Sequence, residues 1–207
     1  MKFQLDRHGA SGSLVTSLAA GADASSAIRV AAVVFIAAAT AAAAQISVPL
    51  PFTPVPFAMQ DMVVLIGGAA LGSRLGMAAQ LLYLAAGIAG LPVFAASAVL
   101  PQGALRLLGP TGGYLLSYPV AAFVTGRLAE RGFDRRYATS VIAMISGLAV
   151  IFAFGVPWLA MFARPAGIGF AAALSAGLYP FLAGDVLKVF LGAAVLPAVW
   201  KIVGRTR

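Results

Sequence analysis

The sequence predicts an all-α integral membrane protein of six transmembrane helices with both termini in the cytoplasm. Three observations carry that prediction. The 207 residues are 61% hydrophobic and 10% charged, with a mean hydropathy of +0.98, whereas soluble domains carry about 25% charged residues. The apolar residues gather into runs approaching the ~20 residues that a spanning helix needs. The basic residues collect at the ends of those runs, as topology anchors do.

The elements follow in order. Residues 1–27 read as a polar cytoplasmic tail, since Met1 to Asp23 lacks the charged, apolar and cleavage regions of a signal peptide. Residues 28–207 then form the six-helix membrane domain. The first run is Ile28 to Val48, with the block AAATAAAA in its second half. PLPFTPVPF (Pro49 to Phe57) holds four prolines in nine residues and cannot be a regular helix interior. The second run, Ala58 to Leu71, carries Asp61 near its start, and GSRLG (Gly72 to Gly76) reads as a turn. The third run is Met77 to Ala89, followed by a weakly polar stretch ending in LLGPTGG (Leu107 to Gly113).

The fourth run is Tyr114 to Gly126. The clearest break follows, RLAERGFDRRY (Arg127 to Tyr137), whose six charges place it outside the hydrocarbon. The fifth run is Ala138 to Trp158, and Met161 to Gly169, with Arg164 and Pro165, reads as a loop. Phe170 to Val203 is too long for one simple span. Pro180 divides it, because proline suits the first turn of a helix. A re-entrant or loop segment is expected before Pro180 and the sixth helix after it. Soluble helices would show polar faces at helical period, and a membrane β-barrel would show alternating segments of about ten residues; neither pattern is present.

Charge sets the topology. With six helices, one side holds Lys2, Arg7, Arg29, Arg74, Arg127, Arg131, Arg135, Arg136, Lys201, Arg205 and Arg207, eleven of the fourteen basic residues. The other side holds Arg106 and Arg164. That bias assigns the first side, and both termini, to the cytoplasm. The net charge of +8 does not point to nucleic acid, because the basic residues form no stripe with interleaved aromatics. One histidine, His8, and no cysteine leave few classical metal ligands, and no GxxxxGK[ST] loop is present for ATP. Neither a metal nor a cofactor is expected.

Lys188 and Asp185 stand out within the last apolar run. Three residues apart, they share a helix face. Ionised groups at membrane depth are costly and usually mark substrate or ion sites. Two readings are open: a mutually satisfied ion pair that fixes packing, or a pair facing a cavity, where the lysine receives a carboxylate and the aspartate accepts ligand N–H groups. Neither role makes or breaks a covalent bond. Gly184 beside Asp185 allows close approach of a ligand or helix. Asp61 either lines a cavity or caps its helix. Tyr83, Tyr114, Tyr118, Tyr179 and Trp158 are candidates for a pocket wall, while aromatics also gather at membrane interfaces. Ala37 and Ala41 mark a small-residue face on the first helix, suited to internal packing or to a partner.

Several motifs, taken in their order and spacing, resemble the BioY family, the biotin-specific S components of energy-coupling factor transporters. They are AQISVPLPFTPVPFAMQ (Ala44 to Gln60), YLAAGIAGLPVFA (Tyr83 to Ala95), LLGPTGGYLLSYPVAAFVTG (Leu107 to Gly126) and YPFLAGDVLK (Tyr179 to Lys188). The resemblance implies six helices and a high-affinity biotin site near the outer face. It places the loop between helices one and two, with Phe52, over the pocket. It implies that Lys188 contacts the valerate carboxylate of biotin and that Asp185 belongs to the polar part of the pocket; of the aromatic candidates above, Tyr83, Tyr114 and Tyr179 are taken as substrate-site residues. The implied partners are a transmembrane coupling subunit, docked at Ala37 and Ala41, and two ATPase subunits that hydrolyse ATP, the chain itself being non-catalytic. A second copy of the chain is a further candidate partner. From the residues alone, a carrier for another small carboxylate-bearing vitamin and a structural membrane subunit remain open. A membrane-embedded enzyme would need a second acid–base group beside Asp61 or Asp185, and none is evident.

Overall fold

The prolines after the first apolar run determine how the chain enters its core. The computed structural model describes Leu14 and residues 25–97, 101–162 and 168–205. Most of the expected tail, together with Arg164 and Pro165 of the expected loop, lies outside the described residues. α1 (Ser25–Gln45) carries the alanine block. A two-residue antiparallel ribbon follows, β1 (Ser47–Val48) and β2 (Phe57–Ala58), paired Ser47 to Ala58 and Val48 to Phe57. The proline segment, unable to donate from four of its positions, forms the loop between them.

α2 (Gln60–Leu71) starts directly after β2. GSRLG, expected as a turn, is almost wholly helical: only Gly72 leaves the helix, at φ 84°, and α3 (Ser73–Ile88) begins at the next residue. The N–H and hydroxyl of Ser73 both donate to Glu130 Oε1, at 2.8 Å each, which caps α3 from across the bundle. Burial raises the pKa of Glu130, but the bonds from Ser73 and Arg127 outweigh it and hold the carboxyl below its usual range. A 3-10 turn (Ala104–Leu108) leads to α4 (Gly112–Ala129). A Cβ at Gly126 would lie 2.5 Å from the backbone of Gly72 and Ser73, so glycine is what lets α4 approach the α2–α3 junction.

α5 (Tyr137–Phe162) runs four residues beyond Trp158. The segment ahead of Pro180, expected as a re-entrant or loop segment, forms a short helix, α6 (Phe170–Gly177). Pro180 sits in the first turn of α7 (Tyr179–Ala193), as its missing N–H favours. The chain breaks again at Ala194 before α8 (Val195–Arg205). The core runs through α2, α3, α4, α5 and α7, with Val64, Leu65, Tyr83, Tyr118, Ile151, Leu159 and Val189 all buried.

Three helical stretches among the described residues are long and apolar enough to cross a bilayer: Ser26–Gln45, Tyr137–Phe162 and Tyr179–Ile202. The expectation of six such spans is corrected on this point. α2 has 12 residues, about 18 Å at 1.5 Å per residue, against a hydrocarbon core of about 30 Å. Its start is delayed by the prolines and the ribbon. Irregular backbone at such depth is tolerated where it lines a cavity inside the protein, and that is where α2 begins.

Candidate functional site

A cavity opens between the proline loop, α2, α4, α5 and α7. α2 contributes Gln60 and Asp61, the 3-10 turn Arg106, α4 Tyr114 and Tyr118, α5 Ile151 and Phe152, and α7 Phe181 and Asp185. Val55 and Pro56 of the proline loop form part of the wall. That loop is tied down by Thr53, whose hydroxyl donates to Ala176 O at 2.6 Å and accepts from the Val55 N–H at 3.1 Å.

Every charged group here is held by hydrogen bonds. Lys188, 6% exposed, donates to Ala58 O at 2.5 Å and to Asp185 Oδ1 at 2.7 Å, and lies 3.8 Å from Asp61 Oδ2. Its ammonium also sits 3.7 Å from the centre of the Phe57 ring. Gly184 makes room for that ring, since a Cβ there would lie 2.5 Å from Phe57 Cζ. Asp61 Oδ1 accepts from the Tyr118 hydroxyl at 2.5 Å. Gln60 Nε2 donates to Tyr118 Oη at 2.7 Å, and Tyr83 Oη donates to Gln60 Oε1 at 3.1 Å. A continuous polar chain thus runs from Tyr83 to Lys188. Arg106, 3% exposed, donates to Ala95 O, and Tyr114 donates to Gly177 O at 2.8 Å.

The BioY family model matches residues 16–205. The chain belongs to the BioY family. BioY relatives include the probable biotin transporter BioY of Pyrococcus horikoshii, 39% identical over 160 residues, which cover 77% of this chain and 88% of that one. The biotin transporter BioY of Rhizobium etli is 36% identical over 73% of this chain and 81% of its own, and that of Thermotoga maritima 36% identical over 75% and 86%. The fold matches the crystal structure of the S-component for biotin from an ECF-type ABC transporter, with a TM-score of 0.76 and 24% identity over 87% of this chain and 94% of that one. Like its family, this BioY chain is a multi-pass protein of the cell membrane.

The sequence reading named six substrate-site residues, and the structure distributes them unevenly. Asp185 and Tyr114 line the cavity. Lys188 does not: it stands behind Asp185, with its ammonium already bonded to oxygen on two sides. Tyr83 is also one layer back, reaching the cavity through Gln60. Tyr179 and Phe52 are 60% and 65% exposed and lie outside the cavity wall; Tyr179 opens α7 on its outer side, and Phe52 sits at the tip of the proline loop. Ala37 is buried in the chain's own core and Ala41 packs against it, so the small face they mark is spent on internal packing. The outward face of α1 includes the small residues Ala31, Ala38 and Ala42 beside the exposed Val30, Val34 and Phe35.

The sequence reading missed, among other cavity residues, Gln60 and Arg106. Gln60 directly precedes Asp61 at the head of an apolar run, and Arg106 is a lone cation among leucines. Gln60 heads an apolar run as Asp61 does, and the criterion that singled out Lys188 would have found it; Arg106 lies in the 3-10 turn between helices, where that criterion does not reach.

Proposed function

We propose that this chain captures biotin in the cavity between α2, α4, α5 and α7, as the substrate-specific subunit of an energy-coupling factor transporter. The carrying observation is the polar set of the cavity. Arg106 supplies a guanidinium, suited to paired contact with a carboxylate. Asp61 and Asp185 supply acceptors for the two N–H groups of the ureido ring, and the wall between is apolar and aromatic. In this reading Arg106 receives the valerate carboxylate, and Lys188 orients and balances Asp185 from behind. Tyr114 and Phe152 pack on the ligand, and the proline loop covers it.

The same reading gives the chain six membrane passages, α1, α2, α3, α4, α5 and α7 with α8, and cytoplasmic termini, supported by the concentration of arginine and lysine at Arg74, Arg127 to Arg136 and Lys201. Residues 28–207 make up the substrate-binding domain, preceded by the tail at 1–27. A transmembrane coupling subunit docks on the outward small residues of α1, and two ATPases supply the energy.

The test is binding by the purified chain in nanodiscs, with biotin and its neutral amide. Arg106→Ala should weaken biotin by about 2–5 kcal/mol and the amide far less. Lys188→Ala should weaken both alike. No binding of biotin, with binding of another small carboxylate, would replace the ligand. A loss confined to biotin in Lys188→Ala would return the carboxylate to the lysine.

A further inference from the structure

The charges facing the cavity balance before any ligand arrives. Arg106 comes from the 3-10 turn, Lys188 and Asp185 from α7, and Asp61 from α2. The phenols that face them, Tyr114 and Tyr118 from α4 and Tyr83 from α3 behind Gln60, are neutral donors in the hydrogen bonds described. The side chains that α5 contributes to the wall, Ile151 and Phe152, are apolar. Among the described residues, two cations therefore meet two carboxylates. An anionic ligand entering this site leaves one uncompensated negative charge among largely buried groups, which is unfavourable.

We infer that the site binds its carboxylate ligand together with one proton, and that Asp61 carries it. This rests on the biotin reading above. The geometry singles out Asp61 over Asp185. Asp185 is in direct contact with the Lys188 ammonium at 2.7 Å, whereas Asp61 stands 3.8 Å from it. Protonating Asp61 therefore sacrifices the weaker ion pair. Asp61 also has the more accessible side chain, 21% exposed against 5% for Asp185, and it lines the cavity. Its Oδ2 takes the proton and donates toward Asp185, while Oδ1 keeps the Tyr118 bond and a second lone pair for a ligand N–H. No covalent bond other than O–H forms; the proton comes from bulk solvent with the ligand.

The experiment is titration calorimetry of the full chain in nanodiscs, in two buffers of different ionisation enthalpy, between pH 6 and 8. Biotin should bind with uptake of close to one proton, and its affinity should fall by about tenfold per pH unit where the empty site holds no proton. The neutral biotin amide should bind without uptake and with a flat pH profile. Asp61→Asn, which mimics the protonated side chain, should bind biotin with neither uptake nor pH dependence. Biotin binding to the unaltered chain without proton uptake would overturn the proposal, as would unchanged uptake in Asp61→Asn. If that variant fails to fold, the comparison of biotin with its amide still decides. Failure to bind either ligand would instead remove the biotin reading on which the proposal stands.

Discussion

The Lys188 ammonium lies 2.7 Å from the Asp185 carboxylate, and both side chains are buried, at 7% and 5% exposure. Removing one partner of such a pair leaves a buried charge without compensation, and here a second carboxylate, Asp61, stands nearby. Lys188→Ala should therefore cost about 3–5 kcal/mol of stability. Asp185→Asn combined with Lys188→Met should recover part of that loss. Thermal unfolding of the parent and the two variants in one detergent checks this, and a Lys188→Ala variant as stable as the parent would rule out a buried pair.

Tyr118 joins two cavity residues, accepting from Gln60 and donating to Asp61. Tyr118→Phe keeps the ring and its packing against Tyr83 but deletes both bonds. Biotin affinity should fall roughly tenfold, the equivalent of about 1.4 kcal/mol. Isothermal titration gives the number, and an unchanged affinity would take Gln60 and Asp61 out of the binding surface.

The cap on α3 predicts a pH dependence. The Glu130 carboxyl is held below its ordinary value of 4.5, so it contributes stability above that value and loses it as pH falls through the lower, folded value. Glu130→Gln should lower stability by about 1 kcal/mol at neutral pH. The gap to the parent should close as the medium is acidified below pH 4.5. Melting curves from pH 7 to 3.5 test the sign.

The C-terminal helix is fastened by Trp200, whose indole N–H donates to Asp134 Oδ2 at 2.6 Å, with the Arg135 guanidinium 4.5 Å from the ring centre. Burial pushes the Asp134 carboxyl up despite that bond. Trp200→Phe should loosen α8 by about 1–3 kcal/mol, read as faster amide exchange from Val195 onward, with biotin affinity unaltered. Equal exchange in parent and variant would show that α8 is held by other means.

On α1 the two small-residue faces should respond differently. Ala37→Leu inserts bulk into the core and should cost about 1–3 kcal/mol of stability. Ala38→Leu or Ala42→Leu should leave the fold and biotin affinity intact while weakening recovery of the coupling subunit in a pull-down. The opposite pattern would restore Ala37 and Ala41 as the docking face.

Reading the sequence located the helices well, because burial in a bilayer makes apolar runs and charge breaks explicit. The positions of the break at Arg127 to Tyr137 and of Pro180 at the head of a helix follow from desolvation and from the missing proline N–H. The short helix α6 and the helical start at Ser73 were not legible. Each depends on a contact made from another part of the chain: the Thr53 hydroxyl on Ala176 for the first, and the Glu130 carboxylate on Ser73 for the second.

Composition and periodicity alone determined that this chain is a helical membrane protein, and its motifs pointed to the family. They also marked Asp185 and Lys188 as partners, since residues three apart on a helix share a face whatever surrounds it. Only the tertiary structure decided which of the two opens onto the cavity. It brought Asp61 and Arg106, far away in sequence, to the same space, and it turned Ala37 inward and Ala38 outward. The rotation of a helix that is apolar on most sides is not written in its own residues; it is set by the neighbours that leave room for some side chains and not for others.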